Sequence, residues 1–264
     1  MENLVQTVYY SSEMLLKTPH FHDCHQIILI LQGEVELCVN GTTLRAGAGD
    51  AAIFSRYENH SLRVLSAEYA RYVLCIDPDV VNRKSPVYSL LTDRPAGFCN
   101  VVNITPHFED IVGIFRALMA ERSAEAELAE EMEQLLVKQL LITLYRNAPV
   151  RFDSVGDTMV MDIKRQFENN YSQQFSLEGL ARQYNVSVSS LSHRFREVTG
   201  VSVMGYLLSC RLAWAKKYLT QTNLDIGKIV EKCGFTDNSN FSRCFKKLNG
   251  ISPTAFRKRN TAEW

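Results

Sequence analysis

The chain of 264 residues contains no run of 18 consecutive apolar residues, and its opening, MENLVQTVYYSSEMLLK, has no basic leader ahead of an apolar block. The first absence argues against a membrane-spanning helix and the second against a secretory signal. A cytoplasmic protein without a membrane partner is expected. The seven cysteines, Cys24, Cys38, Cys75, Cys99, Cys210, Cys233 and Cys244, are odd in number and never spaced C-x-x-C. That pattern suits reduced, mostly buried thiols better than a disulfide framework or a zinc site. No phosphate-cradling loop and no nucleophile–base constellation appears, so catalysis is not expected and no cofactor is implied. Net charge is lacking as well, with 29 Lys+Arg against 29 Asp+Glu.

That balance conceals a division. Residues 1–150 carry 12 Lys+Arg and 19 Asp+Glu, a net of −7, whereas residues 151–264 carry 17 and 10, a net of +7. Opposite halves point to two domains with different partners, and only the second attracts a polyanion.

The first half is rich in strand signals. IILIL (27–31) is a short buried run, and Val35, Leu37 and Val39 alternate with Glu34, Glu36 and Cys38, as in a half-buried strand. Asn40-Gly41 marks a tight hairpin, Gly47 and Gly49 another turn, and YARYVLCI (69–76) a further strand. Several short strands separated by turn signals predict a small barrel or sandwich. After Thr105-Pro106 the period becomes helical through Phe108, Ile111, Phe115, Leu118 and Met119. A second helix is predicted over about 124–146, with Leu128, Met132, Leu135 and Leu136 along one side and acidic residues in its first turns, where the helix dipole favours them. NAPVRFDSVGD (147–157) has the composition of a linker, which predicts domains at 1–147 and 158–264 joined through 148–157.

The second half contains a repeated unit. Leu177, Leu180 and Ala181 correspond to Ile226, Ile229 and Val230, Asn185 to Gly234, and Leu191, Phe195 and Gly200 to Phe241, Phe245 and Gly250. Each copy is a helix, a turn whose Asn or Gly tolerates a left-handed backbone, and a second helix pinned by an apolar i, i+4 pair. That is a helix-turn-helix, present twice. With Leu191 and Phe195 inward, Ser189, Ser192, His193 and Arg196 face out. With Phe241 and Phe245 inward, Asn238, Ser239, Arg243 and Lys246 face out. Short hydroxyl and amide groups beside a guanidinium suit a helix lying against base edges in a major groove. An ordinary solvated face would carry more Glu. The stretch 202–222 predicts one long connecting helix, a strut of roughly 27 Å, near the ~34 Å between successive major-groove openings on one DNA face. Lys246, Lys247, Arg257, Lys258 and Arg196 are the candidate phosphate contacts.

Residues 158–260 resemble the DNA-binding domain of the AraC/XylS family of bacterial transcription regulators. The resemblance is carried by A-x-x-x-N-V-S-x-S-x-L-S-x-x-F-x-x-x-T-G (181–200) and by I-x-x-I-V-x-x-C-G-F-x-D-x-S-x-F-S-R-x-F-K-K-x-x-G-I-S-P-x-x-F-R (226–257). It implies recognition helices at about 188–198 and 237–248, with base-reading positions at Ser189, Ser192, His193, Asn238, Ser239 and Arg243. The first half resembles the family's cupin-like sensor through HFHDCHQIILILQGEVEL (20–37) and GAGDAAIFSRYENH (47–60). The implied architecture is an α+β two-domain chain: a cupin-like β-barrel with two helices, then an all-α domain of two helix-turn-helix units joined by a long helix.

The resemblance further implies a small organic effector, with His20, His22, His60, Arg45 and Tyr72 as pocket candidates. A homodimer would form through Leu128, Met132, Leu135 and Leu136. A double-stranded DNA operator and RNA polymerase are the macromolecular partners, and activation is the expected output. No metal is expected: where metal-binding cupins place a glutamate this chain has Gln26, or His25 in the other register, and the family's sensor domains commonly keep the barrel without the metal. Two other readings remain: a metal-dependent cupin enzyme using His20, His22 and His60, and a DNA-binding regulator with no small-molecule effector.

Overall fold

The computed structural model describes residues 4–13, 19–78, 81, 85–92, 94, 98–124, 127–149 and 157–261. The chain divides into two compact units, Met1–Gly156 and Asp157–Trp264. The expected linker falls largely on residues 150–156, outside the described residues.

In the first unit the strands are β1 (Val5–Ser11), β2 (His25–Gln32), β3 (Glu34–Val39), β4 (Thr42–Gly47), β5 (Asp50–Phe54), β6 (His60–Val64), β7 (Ala70–Ile76) and β8 (Val101–Asn103). They form a five-stranded sheet ordered β1-β7-β2-β5-β8 and a three-stranded sheet ordered β4-β3-β6. Asn40 and Gly41 close the β3–β4 hairpin with φ of 51° and 88°, the left-handed pair that such a turn requires. Strand β2 is buried on both faces, which explains its unbroken apolar run. Ile28 and Ile30 point toward the second sheet, among Val35, Leu37, Val39, Leu62 and Val73. Ile27 and Leu29 point the other way, into a core shared with helices α1 (Phe108–Ala124) and α2 (Ala129–Asn147).

One helix differs from expectation. The predicted element at 124–146 begins instead at Ala129, because Leu128 takes φ 63° and resets the helical phase, while α1 runs on to Ala124. Across this break Arg122 Nη1 donates to the Val5 carbonyl at 2.6 Å and lies 3.4 Å from the Glu133 carboxylate, so both helices hold the edge strand β1. Glu133 is buried, and its pKa is raised by burial, with Arg122 acting in the opposite sense. Strands β1, β6 and β8 escaped the sequence reading, being short or interrupted by polar residues.

The second unit is all helical: α3 (Thr158–Asn169), α4 (Leu177–Gln183), α5 (Val188–Thr199), α6 (Val203–Gln221), α7 (Ile226–Lys232), α8 (Asn238–Asn249) and α9 (Pro253–Thr261). Starts and stops follow local chemistry. The side chains of Ser176, Ser187, Ser202, Asp225 and Asp237 accept backbone N–H groups at the N-termini of α4 to α8. Gly200 (φ 73°) and Gly250 (φ 76°) end α5 and α8 in the left-handed region. Asn185 (φ 52°) and Gly234 (φ 74°) occupy equivalent left-handed positions between the paired helices, as their correspondence predicted. The joining helix α6 has 19 residues and is therefore about 28 Å long.

The two repeats are braced by a shared segment. Arg211 of α6 donates to the carbonyls of Tyr171 and Gln173 at 2.8 Å each, and Gln174 Nε2 donates to the Gly234 carbonyl at 3.0 Å. A Cβ on Gly234 would sit 2.4 Å from the Ser172 carbonyl oxygen, so the crossing leaves no room for any side chain there. Phe195, Phe241 and Phe245 are fully buried beneath the second helices, each contributing about 1.5–3 kcal/mol of apolar burial.

Candidate nucleic-acid interface and sensor site

Helix α5 buries Leu191 and Phe195 completely and leaves Ser189, His193 and Arg196 exposed, with Ser192 half-buried beside them. Helix α8 repeats the arrangement: Phe241 and Phe245 are buried, while Asn238, Ser239, Arg243, Lys246 and Lys247 are exposed. The i, i+4 apolar pair thus sets the orientation of each polar ridge. On α8 the Arg243 guanidinium donates to Asn240 Oδ1 at 3.2 Å, which aims it along the ridge. His193 stands 3.8 Å from Glu197 on its own helix.

The candidate phosphate residues do not share one environment. Arg196, Lys246, Lys247 and Lys258 are exposed, but Arg257 is half-buried and its Nε donates to the Leu219 carbonyl at 3.4 Å. Arg257 therefore caps the C-terminal end of α6. Sequence reasoning missed a neighbouring cation: Arg194 Nε meets Asp157 Oδ2 at 2.6 Å, and Asp157 also caps α3. The cap could have been found from Asp157 preceding a helical run, whereas its partner 37 residues away could not.

In the first unit His20, His22 and His60 come together, their nearest ligating nitrogens all within 4.8 Å of one another. Segment and strand are registered by reciprocal backbone bonds, His20 N to His60 O at 2.9 Å and His60 N to His20 O at 2.8 Å. The His60 ring stacks on Phe54 at 4.0 Å, and its Nδ1 lies 3.0 Å from the Glu58 carbonyl. A proton on Nδ1 leaves Nε2 as the electron-pair donor. Arg56 and Arg94, both buried close by, pair with Asp23 at 2.7 Å and Glu58 at 2.8 Å.

Two pocket candidates lie elsewhere. Arg45 pairs across the ladder with Glu36 and is exposed, on the outer face of the three-stranded sheet, because pleating sends Val35 and Leu37 inward. Tyr72 points to the helix side of the five-stranded sheet, where its ring stacks on Phe115 at 5.3 Å. The same pleat puts Arg71 inside instead, a residue the sequence reading passed over.

Of the dimer candidates, Leu128, Met132 and Leu135 are exposed at 67%, 44% and 62%, while Leu136 packs against the helix–sheet core.

Residues 7–136 match the model of the AraC-like ligand binding domain, and residues 180–259 match that of a helix-turn-helix domain. The chain belongs to the AraC family. This AraC-family chain is a DNA-binding transcriptional regulator with an N-terminal ligand-binding domain. It is 24% identical over 248 residues to the HTH-type transcriptional activator RhaS of Klebsiella pneumoniae, covering 92% of this chain and 88% of that one. It is 27% identical over 249 residues to the activator RhaR of Pectobacterium atrosepticum, covering 91% and 86%. The fold is shared with ToxT of Vibrio cholerae at a TM-score of 0.65 and 16% identity, covering 96% of this chain and 98% of ToxT. Among the described residues no single helix is long and apolar enough to cross a membrane.

Proposed function

We propose that this AraC-family regulator activates transcription from a DNA operator that it reads with α5 and α8, under control of a small organic effector held by its N-terminal unit. The duplicated ridge carries the reading: two exposed rows of Ser, Asn, His and Arg, each fixed by a buried apolar pair, on units joined by one helix of about 28 Å. Ser189, Ser192, His193, Asn238, Ser239 and Arg243 read base edges. Arg196, Lys246, Lys247 and Lys258 hold phosphates, while Arg257 acts mainly by fixing the end of α6. The exposed stripe Leu128–Met132–Leu135 is the homodimer contact, and RNA polymerase is the partner in activation. The chain acts in the cytoplasm and performs no catalysis. Ligand binding shifts the equilibrium between two arrangements of the regulator, with a coupling of about 1–3 kcal/mol.

Selection of bound duplexes from a random pool by the full chain, followed by mapping of its sites on genomic DNA, tests the reading. Enrichment of a motif with two half-sites about one helical turn apart is the expected result. Recovery of unenriched DNA at moderate salt would refute it.

A second reading of the sensor is favoured by the imidazole cluster. His20, His22 and His60 offer three neutral nitrogen ligands, and the His60 Nδ1 contact with Glu58 is the orienting bond that metal-bound histidines make. The set fits a tetrahedral divalent ion such as zinc with one open position, which would let the ion bind the effector or act as the signal. Titration with cobalt(II) should then give intense visible absorption at one equivalent, lost in His22→Ala. The pale spectrum of octahedral aqueous cobalt would remove this reading.

A further inference from the structure

Among the described residues of the first unit, three arginines are buried: Arg56, Arg71 and Arg94, at 5%, 3% and 8% exposure. Arg56 and Arg94 each hold a carboxylate, at 2.7 and 2.8 Å. Arg71 holds none among the described residues. Its Nη1 reaches only the Tyr69 hydroxyl, at 3.4 Å, its guanidinium lies 5.6 Å from the centre of the Tyr69 ring, and its buried Nε has no hydrogen-bond acceptor. A guanidinium cannot shed its proton, and an uncompensated buried charge costs several kcal/mol. An aromatic face returns only a fraction of that. Among the described residues, therefore, no group supplies the counter-charge of this fixed cation.

The surroundings say what would supply it. Arg71 alternates along β7 with Val73 and Cys75 on the face turned to the second sheet. Ser11 stands directly opposite on β1, and Tyr9, opposite Val73, shares the same face. Tyr9 is 40% exposed and Ser11 half-buried, so the edge strand β1 is an approach from solvent. The hydroxyls of Tyr9 and Tyr69 stay protonated at neutral pH, since burial raises both, and remain donors. Deeper in, the same face continues as Ile30, Ile28 and Val73.

From this geometry we propose that Arg71 is the anchor of the effector site and that the effector is a carboxylate on a small apolar body. The carboxylate engages the Arg71 guanidinium with help from Tyr69, Tyr9 and Ser11, and the apolar part turns toward Ile30 and Val73. This rests on the reading of the N-terminal unit as an organic-ligand sensor and adds the charge class of the ligand. Carboxylate fits the planar guanidinium fork, and inorganic phosphate serves as the comparison anion.

The test uses the full chain and four probes of known structure: hexanoate and benzoate, with hexanamide and benzamide as neutral counterparts. Thermal unfolding and calorimetry are run on wild type, Arg71→Met and Arg71→Lys. Saturable stabilisation of wild type by at least one carboxylate, absent with its amide, is expected. Arg71→Met should weaken that binding at least about tenfold, and Arg71→Lys should retain part of it. Without ligand, Arg71→Met should unfold at the same or a higher temperature, since it removes an uncompensated charge. Equal response to acid and amide, unchanged affinity in Arg71→Met, stronger binding of phosphate than of either carboxylate, or no carboxylate binding by wild type would each overturn the proposal. Duplex selection on the same preparations separates the two levels. Motif enrichment by both wild type and Arg71→Met leaves the regulator standing whatever happens to the anion site, and its loss in both removes the regulator reading itself.

Discussion

Replacing Arg243 and Lys247 one at a time separates reading from anchoring. Both are exposed on α8, but they leave the helix differently: Arg243 is steered by Asn240 Oδ1 at 3.2 Å, whereas no side-chain partner is seen for Lys247 among the described residues. A guanidinium held in one direction can make a bidentate contact with guanine, and losing such a contact costs about 1–3 kcal/mol, or roughly 5- to 150-fold in affinity. Arg243→Ala should therefore bind the selected operator that much more weakly while its affinity for random duplex changes little. A flexible ammonium neutralises one phosphate, and its loss should lower the salt slope by about 0.9. Between 50 and 200 mM salt the wild type would then lose about 3.5-fold more affinity than Lys247→Ala, on operator and random duplex alike. Fluorescence anisotropy on both duplexes across that salt range measures both quantities. If the two variants lose specific and non-specific binding in the same proportion, the division of α8 into readers and anchors is wrong.

Leu135 is 62% exposed, so Leu135→Glu should leave thermal stability within about 0.5 kcal/mol while converting dimer to monomer in sedimentation velocity. Unchanged sedimentation would reject the α2 contact. Leu136, packed against the core, would confuse that test with unfolding. Burial raises the Glu133 pKa above 4.5, so between that value and the folded one the native state holds more protons than the unfolded chain. Stability from this residue is then greatest at low pH and declines as pH rises through the window. Glu133→Gln should match wild type near pH 4 and exceed it at pH 7 in urea midpoint; a variant weaker at pH 7 would show that the Arg122 contact outweighs burial.

The second unit was largely legible because its signals are local: capping Ser and Asp residues, Asn185 and Gly234 at left-handed turns, and Phe at i, i+4. The first unit was legible in class and less so in detail. Which face a strand residue occupies depends on register, and Arg71 and Tyr72 are neighbours whose roles exchange with a one-residue shift. Period-2 alternation is silent in a strand buried on both sides, so nothing in YARYVLCI distinguished the inward arginine. The imidazole cluster was visible as the candidates His20, His22 and His60, since two alternate positions and one later histidine suffice. The break at Leu128 was not, because a leucine carries no propensity for the left-handed backbone that it adopts.

The crossing of Ser172 over Gly234 makes the two halves of the DNA-binding unit unequal heirs of one duplication. The later copy cannot be lifted out and reused alone, since the strap that presses on its turn is encoded ahead of the earlier copy. Chimeras that exchange specificity should therefore transplant the outward side chains of α8 and leave Tyr171–Gln174 with their native Gly234. Evolution faces the same restriction: the first turn can drift among residues that accept a left-handed backbone, whereas the second has no substitute for glycine.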